Sequence, residues 1–413
     1  QEVYSILKEN PYRMADDVDG VGFRTADEIA SRVGIRTDSD FRIRSGIQYA
    51  LLQASNEGNA YLPMPELTQR AGALLEIEPE YIEKHYMNLA MDRKIIMRQV
   101  EDVTQIYASA FFYMEANAAT MLKNLDASFD VPDIEIEARL RQIEKQTKMD
   151  LDEHQVEAVK EAVRNGVLVI TGGPGTGKTT TLVEAIYETL HREPQVLVCA
   201  QSNTAVDWIC EKLVDRGVPV LRIGNPTRVN DKMLSSTYER RFESHPAYPE
   251  LWGIRKSIRE MGSRMRRGSY SEREGMRNRM SRLRDRATEL EIQINADLFD
   301  SARVIASTLV SSNHRLLNGR RFSTLFIDEA AQALEAACWI AIRKADRVIL
   351  AGDHCQLPPT IKCIEASRGG LDHTLMEKVV QQKPSAVSLL KVQYRMHETI
   401  MQFTSDWFYH GEL

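Results

Sequence analysis

From Leu151 onward the chain alternates short apolar runs with longer amphipathic stretches. Val167 to Ile170, Gln195 to Ala200, Val304 to Ser307, Leu325 to Ile327, Val348 to Leu350 and Ser388 to Val392 are short and apolar on both alternating faces. This pattern predicts strands buried on both sides, and the helical stretches between several of them predict an α/β parallel sheet covered by helices. Ligands of such sheets gather beyond the carboxyl ends of the strands. Lys178, Ser202, Thr308, Asp328, Asp353 and Arg395 all follow a predicted strand.

Upstream the pattern changes. Residues 41 to about 148 alternate helical periodicity with polar breaks such as Asn56-Glu-Gly58-Asn and Pro63-Met-Pro65, predicting small helical or winged-helix-like units. Ahead of them, Gly20 and Gly22 flank Val21 between two helical runs, which predicts a helix-hairpin-helix over residues 1–40. A turn of this kind aims backbone amides at a phosphate without reading sequence, making Gly20 and Gly22 candidate nucleic-acid contacts; a plain helix turn is the blander alternative.

One stretch inside the α/β part is different again. Ile254, Ile258, Met261 and Met265, then Met276, Met280, Leu283, Leu290 and Ile294, recur at helical spacing, predicting a helical hairpin or stalk inserted at about 225–300. Between Arg255 and Arg286 twelve Lys or Arg face four acids, although the whole chain is acidic, at −6 with a pI near 5.9. Bulk charge therefore does not advertise a nucleic-acid binder, while this local surplus of positive charge suits phosphates or, more blandly, a solvated outer face.

Length bounds the rest. The 413 residues suggest two to four domains, and no run approaches the ~20 apolar residues that a membrane span needs. The chain opens at Gln1 without a charged-then-apolar leader, so a cytoplasmic protein is expected. Cys199, Cys210, Cys338, Cys355 and Cys363 form no C-x-x-C pair, which fits free thiols in a reducing compartment. A zinc set of His354, Cys355, Cys363 and His373 is disfavoured, because Cys355 falls within a motif of nucleotide chemistry.

That chemistry is concentrated at a few strand ends. Gly172 to Thr179 reads G-x-x-x-x-G-K-T directly after an apolar run and opens a helix. Gly173, Pro174, Gly175, Thr176, Gly177 and Thr180 belong to a phosphate-cradling loop and helix start, Lys178 would reach the β and γ phosphates of ATP, and Thr179 would ligate Mg2+. Asp328 and Glu329 end another strand, the first as metal carboxylate and the second as general base. Gln356, in Gly352 to Pro359, stands where a γ-phosphate is sensed, and Arg395 supplies an arginine finger.

In order, Leu151 to Val159, Gly172 to Thr179, Ala200 to Asp207, Ala302 to Thr308, Phe326 to Gln332, Gly352 to Pro359 and Gln393 to His397 resemble the Q motif and motifs I, Ia, Ic, II, III and IV of superfamily 1B helicases of the Upf-like branch. Asn10 to Asp27 and Glu57 to Pro63 are similar to the amino-terminal region of free-standing RecD-like bacterial helicases. The resemblance implies a RecA-like P-loop fold, first motor domain at 149–375, the start of a second at 376–413, and 5′ to 3′ movement on single-stranded DNA, with RNA as the alternative substrate; an ATP-gated nucleic-acid clamp is the alternative outside the motors. It further implies that Gln155 reads the adenine edge, that Tyr394 stacks near the base, and that Ser202, Asn203, Thr204 and Thr308 hold the nucleic-acid backbone. Two departures stand out. Glu398 replaces a proline frequent after Arg-Met-His, and Leu413 precedes the place of motifs V and VI, so poor hydrolysis by these 413 residues is expected.

Overall fold

The computed structural model describes Tyr12, Gly22 to Gly34, Arg36 and residues 39–413 except 148–149 and 266–269, and for Val33, 146–147 and the rest of 264–273 it describes the backbone alone. Gly20 and most of the expected hairpin lie outside the described residues. The chain divides into two compact units, 1–122 and 123–413.

In the first unit, helices Phe23–Val33, Asp40–Asn56 and Met64–Leu75 pack with a three-stranded antiparallel sheet of strands β1 (Tyr61–Pro63), β2 (Ile95–Val100) and β3 (Val103–Ala108), in the order β1-β3-β2. Phe23, Ala26, Ile43, Ile47, Leu67, Leu75 and Ile106 share its core. Arg42 donates from Nε to Asp27 Oδ1 at 2.8 Å and ties the first two helices together. Gly22 is exposed, at the N-cap of helix Phe23–Val33, with extended backbone that any residue adopts.

The second unit carries a seven-stranded sheet of β4 (Val167–Gly172), β5 (Val196–Ala200), β6 (Val220–Arg222), β7 (Val304–Thr308), β8 (Phe322–Asp328), β9 (Ala345–Ala351) and β10 (Val387–Leu390). All pairings are parallel and the order is β10-β4-β9-β8-β5-β7-β6. Strand periodicity sends alternate residues to opposite faces. Leu197 and Cys199, Leu325 and Ile327, and Val348 and Leu350 face one core, whereas Val196 and Val198, Phe326, and Ile349 and Ala351 face the other. Helices Asp133–Thr147, Glu153–Arg164, Lys178–Leu190 and Asn203–Asp215 cover the second core; Glu335–Ile342, Leu375–Gln382 and the foot of the stalk cover the first. Ile136, Leu140 and Ile143 therefore belong with the parallel sheet.

Two carboxylates buried in helix Lys178–Leu190 are paired, as burial of charge requires. Arg216 Nη1 donates to Glu184 Oε2 at 2.7 Å, and Arg139 Nε to Glu188 Oε2 at 2.8 Å. The expected stalk is helix Tyr248–Met265 against helix Tyr270–Asp300, inserted between β6 and β7. Met280, Ala287, Leu290 and Ile294 form its inner seam, while Lys256, Arg259, Arg277, Arg279, Arg282 and Arg284 are exposed. Arg255 and Arg286 are partly spent on Glu291 and Glu250.

Candidate active site

The strand order sorts the candidate residues into two halves. β10, β4, β9 and β8 are neighbours, so the loops bearing Arg395, Lys178, Asp353 and Asp328 emerge side by side. β5 and β7 lie beyond β8, with Ala200 in register with Thr308, so Ser202, Asn203 and Thr204 emerge beside Thr308.

The loop after β4 closes on itself. Lys178 Nζ donates to Gly172 O at 2.7 Å and Gly173 O at 3.0 Å, and Thr176 Oγ1 donates to Gly173 O at 2.9 Å. Gly175 and Gly177 have φ of +85° and +80°. A Cβ on Gly175 would sit 2.6 Å from Arg395 Cβ, and one on Gly177 would sit 2.4 Å from Gln155 Nε2, so both conformation and space demand glycine. Burial lowers the Lys178 pKa, an effect opposed by Asp353, Glu329 and Asp328 and assisted by Arg395.

Pro174, Gly175, Gly177, Lys178, Thr179, Thr180, Glu329, Gln356 and Arg395 line one cleft of about 430 Å³. Asp328, next to the lining residue Glu329, is 4% exposed, and burial, with the Glu329 charge second, pushes its pKa up to about 7. The Glu329 backbone N–H donates to Asp328 Oδ1 at 3.0 Å, and the Thr179 hydroxyl is also hydrogen-bonded to that carboxyl. Glu329 itself has φ +53°, a strained conformation for a non-glycine residue that turns the chain sharply after β8. A half-buried hydroxyl and a buried carboxylate held as a pair are hard oxygen donors that fit Mg2+, which would supply charge neutralisation of a phosphate.

A second cleft of about 450 Å³ adjoins the first, sharing Gly175, Gly177, Thr180 and Arg395 and adding Asp150, Leu151, Gln155 and Tyr394. Gln155 forms a capping box with Asp152: its Oε1 accepts from the Asp152 N–H at 3.1 Å, and its Nε2 donates to Thr176 O at 3.2 Å. Protein groups thus fix the Gln155 amide while leaving one N–H for another acceptor. Tyr394 is exposed, its N–H donates to Gly175 O at 3.0 Å, and its hydroxyl donates to Asp152 Oδ2 at 3.1 Å.

On the other half, Ser202 caps helix Asn203–Asp215 by accepting from the Ala205 N–H at 3.1 Å. Ser202 and Thr204 are exposed and Asn203 is half-buried. Thr308 Oγ1 donates to Ser311 Oγ at 2.8 Å at the end of β7. Three further residues are placed at or near the site by the fold. Trp208 lines the Lys178 cleft, four residues beyond exposed Thr204, with Lys212 Nζ 5.2 Å from its ring centroid. Its helical spacing from Thr204 was the available signal. Arg222, at 0% exposure, and Tyr409 gave none, because their partners are remote in sequence. Asp353, His354 and Cys355 bring three ligand atoms within 4.8 Å of one another, but Cys363 and His373 do not join them among the described residues.

A family model described as an AAA domain matches residues 150–363, and another so described matches 371–413. The ATP-dependent RecD2 DNA helicase HHH domain matches residues 1–61. DNA-binding protein SMUBP-2 of Mesocricetus auratus is 37% identical over 270 residues, covering 64% of this chain and 27% of that protein. DNA polymerase alpha-associated DNA helicase A of Schizosaccharomyces pombe is 34% identical, covering 68% and 42%. A regulator of nonsense transcripts 1 homolog of Arabidopsis thaliana is 36% identical, covering 64% and 20%. The chain spans less than half the length of these curated relatives. With a RecA-like parallel sheet, an AAA-domain match over more than half its length and an HHH-domain match at its front, the chain belongs to the superfamily 1B helicases.

Proposed function

We propose that this protein is an ATP-dependent helicase or translocase that moves 5′ to 3′ on single-stranded DNA by hydrolysing Mg-ATP. The observation that carries the proposal is the single cleft lined by Lys178, Thr179, Glu329, Gln356 and Arg395, with buried Asp328 hydrogen-bonded to the Glu329 N–H beside it. In this assignment Lys178 holds the β and γ phosphates with the backbone N–H groups of Gly173, Gly175, Thr176 and Gly177, Thr179 and Asp328 hold the metal, and Glu329 accepts a proton from the attacking water. Gln356 orients that water or senses the γ-phosphate, and Arg395 meets charge developing on it. Gln155 and Tyr394 take the adenine in the adjoining cleft.

Ser202, Asn203, Thr204 and Thr308 grip the strand backbone on the β5–β7 half, and the exposed arginines of the stalk add charge without sequence readout. The proposed division is a hairpin region at 1–40, a helical and winged-helix-like region from 41 to about 122, a first motor domain to 375 that takes in helix Asp133–Thr147, and the start of a second from 376. DNA is favoured over RNA because the front matches a DNA-helicase domain and two of the three relatives above carry DNA in their names. The relative named for nonsense transcripts supports RNA as the second reading. Free thiols at all five cysteines suit a reducing, cytoplasmic setting, and no helix of the described residues is long and apolar enough to cross a membrane.

Unwinding of tailed duplexes by the full-length protein tests this. A 5′-tailed DNA duplex is expected to open with ATP, with Lys178→Ala abolishing the activity. Opening of 3′-tailed DNA overturns the direction, opening of RNA alone overturns the substrate, and full activity in Lys178→Ala overturns the motor.

A further inference from the structure

Asp353, just beyond β9, is the hub of a buried network at the edge of the Lys178 cleft. Its Oδ1 accepts from the Cys355 backbone N–H at 3.1 Å, and its Oδ2 accepts from Gln356 Nε2 at 2.7 Å. Lys178 Nζ stands 3.9 Å from the same Oδ2. The third group on Oδ2 is the hydroxyl of Tyr409, which donates at 2.6 Å from the residue that caps helix Glu398–Phe408, in the segment following β10. Both Asp353 and Tyr409 are buried, at 3% and 6% exposure. The Tyr409 ring also lies against the phosphate loop: a Cβ on Gly173 would be 3.6 Å from Tyr409 Cε2.

Donor and acceptor chemistry gives this arrangement a direction. An ionised carboxylate only accepts, so the Gln356 amide must present its NH2 to Asp353. Its carbonyl oxygen is then the end left to the cleft that Gln356 lines together with Glu329 and Arg395. Oδ2 is also the nearest carboxylate oxygen to Lys178, and a carboxylate short of donors would draw the ammonium away from a phosphate. The Tyr409 hydroxyl supplies the missing donor. Burial, then the bond to Asp353, raises the phenol pKa, so it remains a donor at neutral pH.

We propose that Tyr409 is a positioning residue for ATP hydrolysis: its hydroxyl fixes Asp353, which holds the Gln356 carbonyl toward the reacting phosphate and leaves Lys178 to the nucleotide. The inference rests on the assignment of this cleft as the ATP site. Because Tyr409 and Arg395 both follow β10, the same bond makes hydrolysis depend on how that segment sits against β9.

The test is single-stranded-DNA-stimulated ATP hydrolysis by the full-length protein carrying Tyr409→Phe, Gln356→Ala, or both, with Lys178→Ala as the control of the site itself. Tyr409→Phe keeps the ring and is expected to lower kcat about tenfold while KM for ATP changes less than about twofold. In the Gln356→Ala background it is expected to cost much less than tenfold, since most of its effect passes through that amide. A wild-type kcat in Tyr409→Phe, a loss confined to KM, or losses that multiply in the double variant would overturn the proposal. Should Tyr409→Phe fail to fold, Asp353→Asn in the same assay is expected to lose turnover as Gln356→Ala does, and a wild-type kcat there overturns it equally. Wild-type hydrolysis by Lys178→Ala would instead remove the ATP-site assignment, whatever Tyr409→Phe does.

Discussion

Arg222 Nη2 donates to Asn203 Oδ1 at 2.8 Å, so a side chain on the edge strand β6 orients a candidate strand-binding residue on the neighbouring helix. The same guanidinium donates from Nε to Asp207 Oδ1 at 2.9 Å and from Nη1 to Ile223 O at 2.7 Å. Asp207 Oδ2 in turn accepts from the Asn230 N–H at 2.9 Å, tying the start of the inserted segment to the same cluster. Arg222 has no exposed surface and Asp207 only 2%. Replacing Arg222 with methionine strands a buried carboxylate, and a loss of about 3–5 kcal/mol is expected in the urea unfolding free energy of the second unit. Asp207→Asn together with Arg222→Met is expected to recover part of that loss.

Asp328 couples stability to pH. Its folded pKa of about 7 lies above the ordinary carboxyl value of 3.8, so the folded chain binds this proton more tightly than the unfolded chain does. The contribution is complete below about pH 4, shrinks by up to about 1.4 kcal/mol per pH unit as pH rises toward 7, and is gone above it. Asp328→Asn keeps an acceptor for the Glu329 N–H and carries no charge. In metal-free, nucleotide-free protein it is expected to unfold at higher urea than wild type at pH 8, with the gap narrowing at pH 5.

Gly177→Ala meets two obstacles at once. A left-handed conformation costs a non-glycine residue about 1–2 kcal/mol, and the new methyl would strike Gln155 Nε2 at 2.4 Å. Stability is expected to fall modestly, and affinity for a fluorescent ATP analogue much more, because the displaced Gln155 amide and the loop amides serve the same ligand. Equilibrium titration measures the second effect.

The stalk arginines are expected to act on strands and not on nucleotide. Arg277, Arg279 and Arg282 are exposed, and among the described residues none of the three is held in an ion pair. Replacing all three with alanine is expected to weaken single-stranded DNA binding and flatten its salt dependence by about 2 in the log–log slope, about 0.7 for each phosphate no longer neutralised. ATP affinity should be unchanged. An unaltered salt slope would mean that these charges are only a solvated outer face.

Much of this site is legible in the chain because its chemistry needs contiguous residues. A phosphate loop must be a short glycine-rich segment between strand and helix, and the paired acids end a nearby strand of the same sheet, so Lys178, Asp328 and Glu329 are visible before any fold is drawn. What the pattern hides depends on distance. β6 is three residues long and ends in Arg222, a charged residue that local periodicity assigns to the surface and that only Asp207 and Asn203 allow inside. The antiparallel sheet of the first unit escapes notice because β1 is equally short and β2 and β3 are half-exposed between helices. Tyr409 lies 56 residues from Asp353, and no spacing rule joins them. The amide of Gln155 is visible as a motif residue, but its double attachment to Asp152 and Thr176 is not.

In the proposed site Lys178, Asp328 and Glu329 serve one triphosphate. ATP turnover by full-length protein carrying Glu329→Gln, at saturating ATP and single-stranded DNA, tests it most directly. Turnover is expected to fall by roughly 10²–10⁴-fold, as loss of a general base requires, with ATP affinity retained. Turnover at the wild-type rate in Glu329→Gln would contradict it.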